Sequence, residues 1–155
     1  MRKLYRSLLL CTATLVTLAG CASGPSYKEM ASSIPTLSSQ NGRVYFFRSS
    51  SPLGAALQPD IKLNGEKVGE SKPGGFFYVD KPAGRYTVST ATETEKTLSL
   101  ALDAGETKYV RTSPSLGLLV GRVVPTLEDA AAAQKEIEGL SYAPPQDGGK
   151  AAKRQ

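Results

Sequence analysis

From Gly42 to Val124 the chain is built of short runs of β-branched and aromatic residues punctuated by Gly, Pro and Asn, the pattern of an all-β sandwich or barrel. In Arg43-Val44-Tyr45-Phe46-Phe47-Arg48 and again in Phe76-Phe77-Tyr78-Val79, apolar groups occupy consecutive positions. Such strands are covered on both faces, as in a central strand or one lying between a sheet and a helix. Between them, Asp60-Ile61-Lys62-Leu63 and Glu66-Lys67-Val68-Gly69 flank Asn64-Gly65. That dipeptide tolerates the positive φ angles of a type I′ turn and marks a hairpin. Tyr86 and Val88 alternate with polar neighbours, and Leu98, Leu100 and Leu102 recur at period 2, the mark of a half-buried strand. Asp103-Ala104-Gly105-Glu106 turns into Thr107–Thr112, and Leu118–Val124 reads as the last strand. The loop from Ser49 to Pro59 is long enough for a crossover or a binding loop.

The periodicity then changes. Pro125-Thr126 begins a helix that ends at Gly139, with Thr126 as its cap and Leu127, Ala130, Ala131 and Ile137 on one stripe. Glu128 and Asp129 suit the positive end of its dipole. The expectation is a mainly β chain: a single antiparallel β-sandwich of about seven to eight short strands with one C-terminal α-helix. The folded domain spans 42–140, and 141–155, with Pro144-Pro145 and Gly148-Gly149, forms a disordered tail. Residues 22–41 are rich in Ser, Ala, Gly and Pro and follow neither period. As a flexible tether they would reach roughly 25 Å; alternatively, 27–37 form a short helix or a strap across the domain.

At the amino terminus, Arg2, Lys3 and Arg6 precede a mostly apolar run, Ser7 to Thr17, and then small residues. This is the layout of a secretory signal, and the run is too short to span about 30 Å of hydrocarbon as a helix. Removing residues 1–20 takes three of the 19 basic residues and none of the 14 acidic ones, so the formal charge falls from +5 to +2. What remains has no basic stripe of the kind a nucleic acid requires. Cys11 and Cys21 are the two cysteines, which leaves the domain without a disulfide framework. Histidine is absent, and with it the commonest metal ligand, the usual neutral-pH base and every imidazole triad. No metal, cofactor or catalytic residue is therefore expected.

Leu18-Ala19-Gly20-Cys21 resembles the lipobox of bacterial lipoproteins. The resemblance implies cleavage between Gly20 and Cys21, lipidation of the Cys21 thiol and acylation of the new amino terminus, palmitate included. At about 0.8 kcal/mol per buried methylene, several acyl chains anchor stably where one binds marginally. In Gram-negative lipoproteins an Asp after the cysteine retains the protein at the inner membrane. Ala22 stands there, which implies the outer membrane, facing the periplasm by default.

Gly42–Arg48, Leu63-Asn64-Gly65-Glu66-Lys67-Val68-Gly69, Gly75–Tyr78, Pro82–Tyr86 and Ala104–Thr107 together resemble a bacterial lipoprotein group, domain-of-unknown-function family 2846, and the wider class of PEGA-like β-sandwich modules. The family has no assigned activity, so it transfers no catalytic residue. Three functions are open. The first is a non-enzymatic envelope module, held at the membrane through Cys21 and binding an envelope protein or peptidoglycan. The second is an enzyme acting on envelope glycans with a carboxylate pair drawn from Asp60, Glu66, Glu70, Asp80, Glu93 and Glu95, which needs two carboxyls about 5–9 Å apart in a cleft. The third is a weak contact of Lys150, Lys153 and Arg154 with anionic polymer or lipid. The aromatic runs are expected in the core, with a stacking platform for sugars or peptides as the alternative.

Overall fold

The doubly apolar strands lie where their pattern requires. In the computed structural model, which describes residues 21–145, they form the middle of the larger of two sheets. β1 (Asn41–Phe47) pairs with β4 (Gly75–Pro82) in antiparallel register, Tyr45 opposite Tyr78. The smaller sheet holds β2 (Asp60–Leu63), β3 (Glu66–Glu70), β5 (Gly84–Ala91) and β6 (Glu95–Leu102) in the order β3-β2-β5-β6. β7 (Thr107–Ser115), β8 (Arg122–Leu127) and β9 (Ser141–Tyr142) complete the larger sheet, in the order β8-β7-β1-β4-β9. Leu18, Ala19 and Gly20 of the expected lipobox, and residues 146–155 of the expected tail, lie outside the described residues.

Alternate residues of β1 and β4 serve two cores. Val44, Phe46 and Phe77 face the smaller sheet and pack with Ile61, Val88 and Leu102. Tyr45, Phe47 and Phe76 face the other way, under α2 (Ala130–Ile137), through Ala133 and Ile137. The larger sheet is thus the middle of three layers, which is why its central strands carry no polar face. The aromatic runs are core: Phe46 and Phe77 stack at 5.1 Å between centroids, Tyr45 and Tyr109 at 5.4 Å. Asn64 (φ 50°) and Gly65 (φ 85°) both take positive φ, as a type I′ turn demands, and the Asn64 carboxamide oxygen accepts from the Thr87 amide at 2.8 Å.

The mainly β, two-sheet expectation is met, with nine strands among the described residues and two parallel pairings, β1 with β7 and β4 with β9. Turn signals report only pairings between chain neighbours, and these two join distant segments. The helix starts later than expected. Asp129, not Thr126, is its cap, accepting from the amides of Ala131 and Ala132 at 2.9 and 3.2 Å. Thr126 and Leu127 belong to β8, where they pair with Arg111 and Val110. The buried stripe is accordingly Ala133 and Ile137 rather than Leu127, Ala130 and Ala131.

The segment after Cys21 is held against the domain rather than hanging as a free tether. The Ala22 amide donates to Pro73 O at 3.1 Å, Tyr27 to Leu140 O at 3.1 Å, and Tyr142 in return to Pro25 O at 2.8 Å. α1 (Tyr27–Met30) is closed by a capping box between Ser26 and Glu29, and Tyr27 meets the Phe76 ring edge-on at 5.5 Å. Further on, Arg43 binds Asp80 through two hydrogen bonds of 2.7 and 2.8 Å, donates to Pro35 O at 2.8 Å and lies over the Tyr78 ring. The fold also runs past the expected boundary at 140, because β9 pairs with β4 and Ala143 is buried.

Candidate functional site

Two uncharged loops meet at one end of the sandwich. The first, 49–59, crosses from the larger sheet, just after β1, to β2 in the smaller. It is built around Arg48, which is 2 % exposed. The guanidinium donates to the carbonyls of Leu57, Gly54 (2.6 Å) and Ser71 (3.1 Å), so one buried cation folds the loop back on the domain. Burial pushes its pKa down from the usual arginine value, and the three carbonyls offset the lost hydration. Beneath it, the Ser71 and Thr112 hydroxyls lie 2.8 Å apart, and Thr112 donates to Phe47 O.

The second loop, 116–121, joins β7 to β8. The apolar run Leu118–Val124, expected as one strand, is divided: Arg122–Leu127 is β8, and Leu118, Leu119 and Val120 stand in solvent. The divider is Glu93, at the tip of the β5–β6 hairpin. Its carboxylate accepts from four successive amides, Leu118 at 2.9 Å, Leu119 at 3.1 Å, and Val120 and Gly121 at 3.3 Å. Consecutive N–H groups converging on one anion form a nest. The Leu118 and Leu119 amides, chiefly, hold the Glu93 carboxyl down at about 2. Gly121 takes φ +102°, and a Cβ on Gly117 would stand 2.2 Å from the Glu93 carboxylate, so the nest needs glycine at both places. Thr90 and Thr92 donate to the carbonyls of Val123 and Gly121 at 2.6 and 2.9 Å, tying the loop to the other sheet.

Between the loops lies an open cleft of about 350 Å³, lined by Leu53, Leu57, Pro114, Leu116, Leu119 and Val120 among others. Its volume is within the range of small-ligand sites, and its lining is apolar. Leu116, Leu118 and Leu119 are 88 %, 87 % and 91 % exposed. The pattern hides the second loop because five apolar residues in the seven from Leu118 to Val124 look like a buried strand. Pro114 and Gly117 signal the start of that loop, and Gly121, inside the apolar run, is the signal for where it ends.

Cys21 is exposed with a free thiol and lies beside Lys72, Tyr142 and Pro144. Of the carboxylates weighed as a catalytic pair, two come together and the others lie elsewhere. Asp60 and Glu70 share Lys67, at 2.7 and 3.0 Å. Asp80 is held by Arg43, Glu66 lies 3.9 Å from Lys81, Glu93 fills the nest and Glu95 is exposed at the start of β6. A further ionic cluster joins Arg111 to Glu128 and Glu136, both at 2.6 Å. Ser49 accepts from Arg111 at 3.0 Å and donates to Glu136, which fastens α2 to β7 and to the start of the crossover loop. Among the described residues no group of three or more Cys, Asp or Glu is arranged to hold a metal ion, and no helix is long and apolar enough to cross a membrane.

Comparison with known proteins gives the chain its relatives. It is similar to an uncharacterized protein of Haemophilus influenzae, 30 % identical over 109 residues that make up 67 % of this chain and 64 % of that protein. The chain thus spans a little under two thirds of that relative's length. No solved structure matches it. The sequence profile described as protein of unknown function DUF2846 matches residues 38–123, from the turn before β1 to the start of β8, including both loops of the apolar end but neither the Cys21 strap nor α2. With more than half of its length covered, the chain belongs to the DUF2846 family.

Proposed function

We propose that the protein is a lipid-anchored module of the bacterial cell envelope, held through Cys21 in the outer membrane, facing the periplasm, and that it acts by binding rather than by catalysis. The observation that carries this reading is the run Leu18-Ala19-Gly20-Cys21 behind a basic and then apolar segment, the order a signal peptide and lipobox require. The exposure of the Cys21 thiol supports it, since an acylated sulfur must point away from the domain. A sandwich whose central strands spend both faces on packing offers its loops and edges to a partner, here an envelope protein or peptidoglycan.

The test has two parts. Growth with labelled palmitate puts label on the native protein, and Cys21→Ala abolishes it and moves the protein out of the membrane fraction. A Cys21→Ala protein that stays in membranes, or a native one without label, contradicts the anchor. Crosslinking in intact cells then recovers an envelope partner or peptidoglycan with the native protein. Recovery that does not exceed that of the unlipidated form contradicts the binding role.

A further inference from the structure

Cys21 and the exposed leucines belong to the same end of the molecule, and a chain of contacts connects them. Ala22 donates to Pro73 O, and Gly74, next in the same turn, donates to Ser49 O at 3.3 Å. Ser49 opens the crossover loop, and Gly54 within that loop lies against Pro114, whose chain continues into Leu116–Val120. Strand directions agree: the end of β1, the start of β4, the end of β7 and the start of β8 are all here. Cys21 lies by β9 and the leucine loop by β8, the two edges of a five-stranded sheet. At about 4.8 Å per strand, they are roughly 19 Å apart.

We propose that this end rests on the lipid surface, with Leu116, Leu118, Leu119 and Val120, beside Leu53, entering the interface as a second, non-covalent contact. The inference rests on the lipid anchor at Cys21, and it adds which face the anchor turns to the bilayer. Because residues 22–27 are bound to the domain, the acylated sulfur points outward from a backbone fixed at this end, and the end that bears it is brought to the headgroups. Residues 49–59 and 112–121 contain no charged side chain. Most charges elsewhere at this end are paired: Lys72 with Glu70, Lys67 with Asp60, Arg122 with Glu93. Glu95 is exposed on the smaller sheet and limits how closely that sheet approaches. The Glu93 nest matters most here. Loop amides entering an apolar phase lose water as a partner, and those of residues 118–121 already have one. The opposite end carries Glu66, Lys81, Asp103 and Glu106 around its turns and suits water.

The experiment uses the processed protein extracted from membranes and reconstituted in vesicles of phosphatidylethanolamine and phosphatidylglycerol. An environment-sensitive fluorophore is placed on Leu119→Cys or, as the control at the far end, on Ala104→Cys. The acylated Cys21 cannot react with it. Brominated acyl chains are expected to quench the Leu119→Cys label roughly twofold or more, with a blue shift, and to leave the Ala104→Cys label unchanged. A Leu119→Cys label as wet and unquenched as the control, on protein whose Cys21 is acylated, overturns the lipid contact and leaves the anchor standing. A label that is shielded but unquenched overturns it as well, because another protein surface then covers the loop. If mass analysis finds Cys21 unacylated, the anchor reading fails and this inference with it.

Discussion

Glu93 and Arg48 do opposite electrostatic work at the apolar end, one an anion ringed by amides, the other a cation ringed by carbonyls. Each closes a loop that has little apolar packing of its own. Glu93→Ala leaves four amides of residues 118–121 unpaired, so their hydrogen exchange should speed up at least tenfold while that of β1 stays unchanged, as read by exchange mass spectrometry. Its pH dependence has a definite sign. The Glu93 carboxyl falls from 4.5 to about 2 on folding, so the folded loop is favoured fully above the higher value and loses that support as pH falls through the lower one. Exchange protection at Leu118–Gly121, corrected for intrinsic rate, should therefore decline between about pH 4.5 and 2, before the sheets unfold. Arg48→Met abandons three carbonyls in a buried site and should lower stability by about 3 kcal/mol in urea unfolding. Arg48→Lys should not restore it, because one ammonium cannot reproduce the guanidinium's planar fork.

At the scale of elements, the two sheets approach closely because glycine faces aromatic rings. A Cβ on Gly69 of β3 would lie 2.4 Å from the Phe77 ring, so Gly69→Ala should cost about 1–3 kcal/mol by urea unfolding, the range for overpacked cores. Asp129→Ala removes the cap of α2 and should cost about 1 kcal/mol. Much of this layer arrangement was legible in the sequence. The unbroken apolar runs of β1 and β4 implied two covered faces, Asn64-Gly65 implied its hairpin, and Leu98, Leu100 and Leu102 implied a half-buried β6. What was not legible depends on distant partners. The pairing of β1 with β7 has no turn to announce it. The linker composition of residues 22–35 leaves tether and strap both open, and Tyr27 and the Arg43–Pro35 contact decide for the strap. The run Leu118–Val124 carries the apolar content of a strand. Its division into loop and β8 is decided by a carboxylate 25 residues or more upstream, and no local pattern can report that.

The described residues are polarised along the strands. One end gathers Cys21, the two uncharged loops and the exposed leucines, and the other presents charged turns, an asymmetry that matches a protein standing on a membrane by one end. Membership of the DUF2846 family covers the sandwich from residue 38 to 123, and Cys21, on which the proposed anchor rests, lies outside that span. The proposed orientation and address both depend on Cys21. The most direct measurement is the mass of the amino-terminal peptide of the protein extracted from its own membranes. It is predicted to begin at Cys21 and to carry a diacylglyceryl thioether with an acylated α-amine. A peptide that begins elsewhere, or one that begins at Cys21 with an unmodified thiol, would contradict the account.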